Sequence, residues 1–96
     1  FIPHDRAFRD LPGYIYRQLF RNTRKLRELL LYHMVEGVYT QQELDNGVMK
    51  TLFGEHLALE KKENGDIVID GHARIVKSDI HAQRGVLHTI DAVLLP

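Results

Sequence analysis

Ninety-six residues carry thirteen Lys plus Arg against thirteen Asp plus Glu, a formal charge of zero, with 44% hydrophobic and 27% charged residues. That length suits one domain and excludes a multidomain enzyme, and the composition is that of a globular domain, not of a disordered chain. No apolar run approaches the ~18 residues of a bilayer span; zero cysteines exclude a disulfide scaffold and a Cys-based zinc site, and zero net charge removes the basic excess of a nucleic-acid binder.

The first residue is Phe and no basic-then-apolar leader follows, so the sequence reads as a mature piece or an excised fragment. Residues 1–31 hold seven basic groups (Arg6, Arg9, Arg17, Arg21, Arg24, Lys25, Arg27) against three acidic ones (Asp5, Asp10, Glu28), an excess of four that the remainder balances. A solvated helical face opposite a core stripe explains this better than a binding patch for acidic polysaccharide. Pro12-Gly13 reads as a turn, and residues 14–21 as a short helix with Ile15, Leu19 and Phe20 inward. Over residues 22–35 the positions Leu26, Leu29, Leu30 and Met34 follow one helical stripe, with Asn22 or Thr23 as N-cap and Gly37 past the end. On that stripe His33 lies at the border, as core support, and Tyr32 faces away and is partly exposed.

Thr40-Gln41-Gln42-Glu43 fits a capping box that opens a helix of one or two turns ending near Asn46-Gly47. From Val48 onward the period changes to two. Leu57 and Leu59, then Ile67 and Ile69, alternate with polar or small neighbours around Asn64-Gly65, which predicts an antiparallel hairpin closed by a tight turn with positive φ. Further strands are predicted at residues 50–53, 73–76, 86–90 and 92–95, the last two as near-continuous apolar runs. Helices early and strands late make an α+β fold, and with no linker, repeat or low-complexity stretch the whole chain, 1–96, reads as one domain.

None of the six histidines falls in H-E-x-x-H or forms an i, i+4 pair, so no metal site is nominated; His33 and His88 lie in apolar stretches and read as structural imidazoles. The sole serine, Ser78, has no nucleophile-elbow pattern around it. There is no G-x-G-x-x-G, P-loop or EF-hand loop; Asp45-Asn46-Gly47 and Asp70-Gly71 read as turns. Thirteen acids make carboxylate pairs unavoidable, so spacing nominates no acid/base couple. No catalytic residue and no cofactor is predicted, and the enzyme reading is without support.

Two segments are less generic. Phe1-Ile2-Pro3-His4-Asp5-Arg6-Ala7-Phe8 is similar to a box written F-x-P-T/S-D/N-x-A-F, carried here by Phe1, Pro3, Asp5 and Phe8. The stretch from Gly85 through Val86, Leu87, His88, Thr89, Ile90 and Asp91 to Leu95-Pro96 is similar to G-V-I/L-H-x-I/V-D/N-x-V/L-L-x-P, carried by Gly85, His88 and Asp91. With Leu30-Leu31-Tyr32-His33 between them as a Y-H segment and Thr40–Leu44 as a capped turn, the order and spacing resemble those of fasciclin-type domains over the whole chain.

That resemblance implies a wedge of mainly antiparallel strands flanked by short helices, serving as a non-enzymatic adhesion module that is secreted or membrane-anchored. The partners it implies are integrins, collagen, other matrix proteins, glycans or a second copy of the domain. Lys77-Ser78-Asp79-Ile80-His81 occupies the place of a Glu-Pro-Asp-Ile-Met segment implicated in integrin binding, and Tyr32-His33 is the other implicated site. Asp79, Ile80, Tyr32 and His33 are thus the candidate protein contacts, although Asp79 reads first as a turn-former whose side chain folds onto the amides that follow it. Arg17, Arg21, Arg24, Lys25 and Arg27 are the alternative candidates, for an acidic glycan or small ligand. Family domains are longer at the N-terminus, so the resemblance also implies uncovered apolar surface and a tendency to dimerise. Three departures from the pattern are His4 for Thr or Ser, Glu36 for Pro and Arg84 for Asn; with His4 in place of a hydroxyl, Asp5 is the predicted cap of the first short helix.

Overall fold

The computed structural model describes residues 1–83 and 85–95; Arg84 and Pro96, both named above, lie outside them. In chain order the elements are β1 (Ile2–Pro3), α1 (Asp5–Arg9), α2 (Gly13–Arg21), α3 (Thr23–Tyr32), β2 (Gly47–Lys50), β3 (His56–Lys61), β4 (Ile67–Ile69), β5 (Ala73–Ala82) and β6 (Gly85–Ile90). The strands form one sheet in the order β1-β6-β5-β4-β3-β2, antiparallel except where β1 runs parallel to β6. The α+β architecture predicted from the early helices and late strands is the one observed. Pairing of Ile2 with Thr89 and Pro3 with Ile90 brings the first and last sequence boxes side by side.

The main core grows from the period-two stretches. Leu57, Leu59, Ile67 and Ile69 are all buried, while His56, Ala58 and Glu60 between them face solvent. Strands β3 and β4 pair as the predicted hairpin, but its turn is wider than a two-residue one: Lys62 N–H reaches Asp66 O at 2.8 Å and Gly65 N–H reaches Lys62 O at 2.9 Å. Gly65 supplies the positive φ, +93°, and Asn64 spends its side-chain oxygen on Asp66 N–H at 3.0 Å. Tyr32, Leu44, Ala73, Ile75, Ile90 and Leu94 complete this cluster, and Ala7, Leu19, Leu29 and Val93 form a second, smaller one among the helices.

Several predicted details are corrected. The helix over 22–35 ends at Tyr32; of its predicted stripe Leu29 is buried and Leu26 packs on the helical cluster, but Leu30 and Met34 are 46% and 48% exposed and Tyr32 is inward instead. Among three consecutive leucines, 29 to 31, the spacing alone does not select Leu29 over Leu30, and the partner surface decides between them. Phe20 is 52% exposed and stacks on Tyr16 at 4.6 Å instead of entering the core. Gly13 opens α2 instead of turning, and α1 is capped by His4, whose Nδ1 accepts Arg6 N–H at 3.3 Å, not by Asp5.

The Thr40 stretch makes a single turn, not a helix: Leu44 N–H reaches Thr40 O at 3.2 Å, and Glu43 Oε1 receives both the amide and the hydroxyl of Thr40 at 3.1 and 2.9 Å. Half of the capping box therefore forms, with the threonine hydroxyl donating. The strand placed at 50–53 is instead β2, and after it Thr51 bridges to Val35 and bends the chain by donating its amide and hydroxyl to Glu55 O at 3.0 and 2.6 Å. Residues 92–95 form no strand although Val93 and Leu94 are buried; strand β5 runs to Ala82, well past the predicted end.

Removing buried volume from the main core has a defined cost. Ile67→Ala should lower unfolding stability by about 2–5 kcal/mol, whereas Phe20→Ala should shift it by no more than ~0.5 kcal/mol; urea unfolding of both variants measures the contrast.

Candidate functional site

Strand β5 is irregular where Asp79 lies. Lys77 pairs with Thr89 and Ile80 with Leu87, so Ser78 and Asp79 together oppose the single residue His88, a bulge. Asp79 takes φ +57° there, a left-handed conformation that Asp tolerates better than most side chains. Its amide points at His88 Nδ1 at 3.3 Å, and His88 Nε2–H donates to Tyr39 O at 2.7 Å. Those two partners require the neutral imidazole with its proton on Nε2.

The Asp79 carboxylate accepts Gln41 N–H at 2.8 Å, from a residue 38 positions earlier, so the predicted fold-back onto its own following amides is corrected. Two bonds thus fasten the 39–41 segment to the bulge. Ile80 beside it is half-buried, and Val38 and Tyr39 are 57% and 40% exposed. Glu43, in the same turn, is held below the usual carboxylate range by its two bonds to Thr40, against a weaker opposing push from the charge of Asp79. The outcome is an exposed pair of carboxylates beside apolar side chains on a turn whose backbone is pinned.

Tyr32 and His33 do not join this surface. Tyr32, predicted to be partly exposed, is 5% exposed; its hydroxyl donates to Asp70 Oδ2 at 2.7 Å, and burial together with that carboxylate pushes its pKa up to about 12. Asp70 in turn accepts Ala58 N–H at 2.9 Å and donates its own amide to Ala58 O at 2.8 Å, with φ +53°. His33 is 4% exposed: Nδ1–H donates to Leu29 O at 2.7 Å and Nε2 accepts Leu94 N–H at 3.0 Å. Burial pulls its pKa below the ordinary histidine value, against the Leu29 bond, which acts the other way. Both residues support the fold from inside, as predicted for His33 at the border of the stripe and contrary to the outward position predicted for Tyr32.

The five cations fall into two groups. Arg17 and Arg21 lie one turn apart on α2, while Arg24, Lys25 and Arg27 belong to α3, where Arg24 pairs with Glu28 at 3.4 Å. Arg17 also lines a groove of about 630 Å³ with Asp5, Phe8, Arg9, Leu11, Tyr16 and Phe20. Asp5 and Arg9 were not among the predicted ligand residues; the i, i+4 pairs Tyr16–Phe20 and Arg17–Arg21 were the available signal, masked by drawing Phe20 inward. The box residues are structural: Phe1 packs on the His88 ring at 5.9 Å, Pro3 lies in β1, Phe8 packs on the helical cluster and Gly85 opens β6. Asp91 accepts Arg74 N–H at 2.7 Å and donates its amide to Arg74 O at 3.0 Å.

The family model described as Fasciclin domain matches residues 1–96. Protein sll1483 of Synechocystis sp. is 35% identical over 98 residues, taking in 100% of this chain and 53% of its own length. Mouse stabilin-1 is 37% identical over 99 residues and human periostin 30% over 99, each across 100% of this chain but only 4% and 12% of their own lengths. This chain therefore spans about half of the cyanobacterial relative and a small part of the two animal ones.

The His33 geometry fixes a pH response. Because its folded pKa lies below the unfolded value of about 6.5, the protein binds fewer protons folded than unfolded, and His33 contributes stability that is full above that value and is lost as pH falls through the folded pKa. His33→Leu should cost about 1–3 kcal/mol at pH 7.5 by orphaning Leu29 O and Leu94 N–H, and the gap to wild type should narrow as pH falls below about 6. Denaturant midpoints measured from pH 8 to 5 give both numbers.

Proposed function

This chain belongs to the fasciclin family, and from that premise we propose that it is a non-enzymatic extracellular adhesion module whose protein contact is the Asp79–Ile80 bulge with the turn fastened to it. The partner class is a cell-surface receptor of integrin type or a matrix protein, and the setting is secreted or cell-surface. The single observation that carries the site is the fixing of Asp79: an exposed carboxylate in a left-handed bulge, anchored to Gln41 through its side chain and to His88 through its amide. Such a group loses little conformational freedom when a partner binds, which is what a contact residue on a small surface needs. Ile80, half-buried next to it, supplies an apolar neighbour.

Asp79→Asn separates contact from architecture, since Asn adopts positive φ readily and retains an oxygen for Gln41 N–H while losing the charge. Attachment of integrin-bearing cells to the immobilised protein should fall about tenfold in this variant, with the melting temperature within a few degrees of wild type. Unchanged attachment removes Asp79 from the contact.

A further inference from the structure

We propose that the groove between α1 and α2 is a binding site for an acidic oligosaccharide, a function independent of the contact at Asp79. Its wall is aromatic: Tyr16 and Phe20 lie one turn apart on α2, stack at 4.6 Å, and remain 44% and 52% exposed. The two large rings, tilted by 34° to each other and open to water, offer apolar ring surface of the kind that the C–H face of a sugar ring covers. Two guanidiniums, Arg9 and Arg17, reach the same groove, and neither has an ion-pair partner among the described residues. Asp5 adds a carboxylate acceptor.

Arg17 is also positioned. A methyl group built on Gly13 would lie 3.2 Å from Arg17 Nη1, so the guanidinium rests over the space that a side chain at residue 13 would occupy. Gly13 has an ordinary negative φ, so its lack of a side chain serves that packing and not the backbone.

Each part answers one feature of a uronic acid. The aromatic pair takes the ring face, Asp5 accepts hydroxyl protons, and the two guanidiniums take the ring carboxylate with charge-assisted bonds. A purely apolar peptide would bury two unpaired cations at a cost, and an acidic peptide would leave the aromatic rings uncovered. A volume of about 630 Å³ has room for a short saccharide.

The test titrates the protein with tetragalacturonate, maltotetraose and tetraglutamate, following tyrosine fluorescence, which no tryptophan obscures. Saturable binding of the tetragalacturonate alone is the expected result. Arg17→Gln and Phe20→Ala should each weaken it about tenfold, and Gly13→Ala should weaken it by a few fold through displacement of Arg17, with melting temperatures unchanged in all three. The proposal is overturned by equal affinity for tetraglutamate, by equal affinity for the neutral sugar, by a Phe20→Ala variant that binds as wild type, or by the absence of saturation.

Discussion

A single imidazole closes this fold. His33 ends α3 and holds two backbone groups at once, the carbonyl of Leu29 behind it and the amide of Leu94, 61 residues later. The second bond matters because residues 92–95 have left the sheet, so their amides have no ladder partner, and a buried amide without a partner is expensive. With Leu94 anchored, the segment drops Leu94 into the main core and Val93 into the helical one. The two clusters are joined through these neighbouring residues, and a histidine holds them in place.

The same device recurs wherever regular pairing stops. The Asp70 carboxylate takes the Ala58 amide where β4 gives way to a left-handed residue, His88 bridges the β5 bulge to Tyr39, and Asp91 receives the Arg74 amide as β6 ends. In each case a side chain takes over backbone bonding that the ladder gives up, over sequence separations that only a closed fold provides. The solvent-exposed ion pairs, such as Lys62–Glu60 at 2.9 Å, add little beside these, since surface pairs of this kind contribute ~0–1 kcal/mol.

That arrangement is also what makes a surface site. The bulge costs β5 its regular pairing, and the bonds that repair it run outward to Tyr39 and Gln41, so an irregularity in the sheet becomes a rigid exposed turn. The helical groove is built on different elements, α1 and α2, with Arg17 packed over Gly13. The two candidate surfaces share no residue, so a protein contact and a polymer contact would not compete for the same side chains.

The period-two alternation of residues 57–69 fixed the central hairpin and its core face, because each strand residue has only two directions to point. The boxes at the two ends fixed the family, and the α+β order followed from where the periods change. Local pattern was insufficient where the partner surface chooses. Leu29 sits inward as the stripe places it, but Tyr32 joins it in place of Leu30 and Met34 because of what α3 packs against, and three successive leucines carry no local sign of that choice. Val93 and Leu94 are as apolar as a strand but form none, because His33 supplies the bond that a neighbouring strand would have given. Asp79 was legible as a residue suited to a turn, yet its partner Gln41 and its bracket through His88 depend on segments far away in the sequence. Spacing within a segment determined faces, and closure of the chain determined which long-range bonds those faces could make.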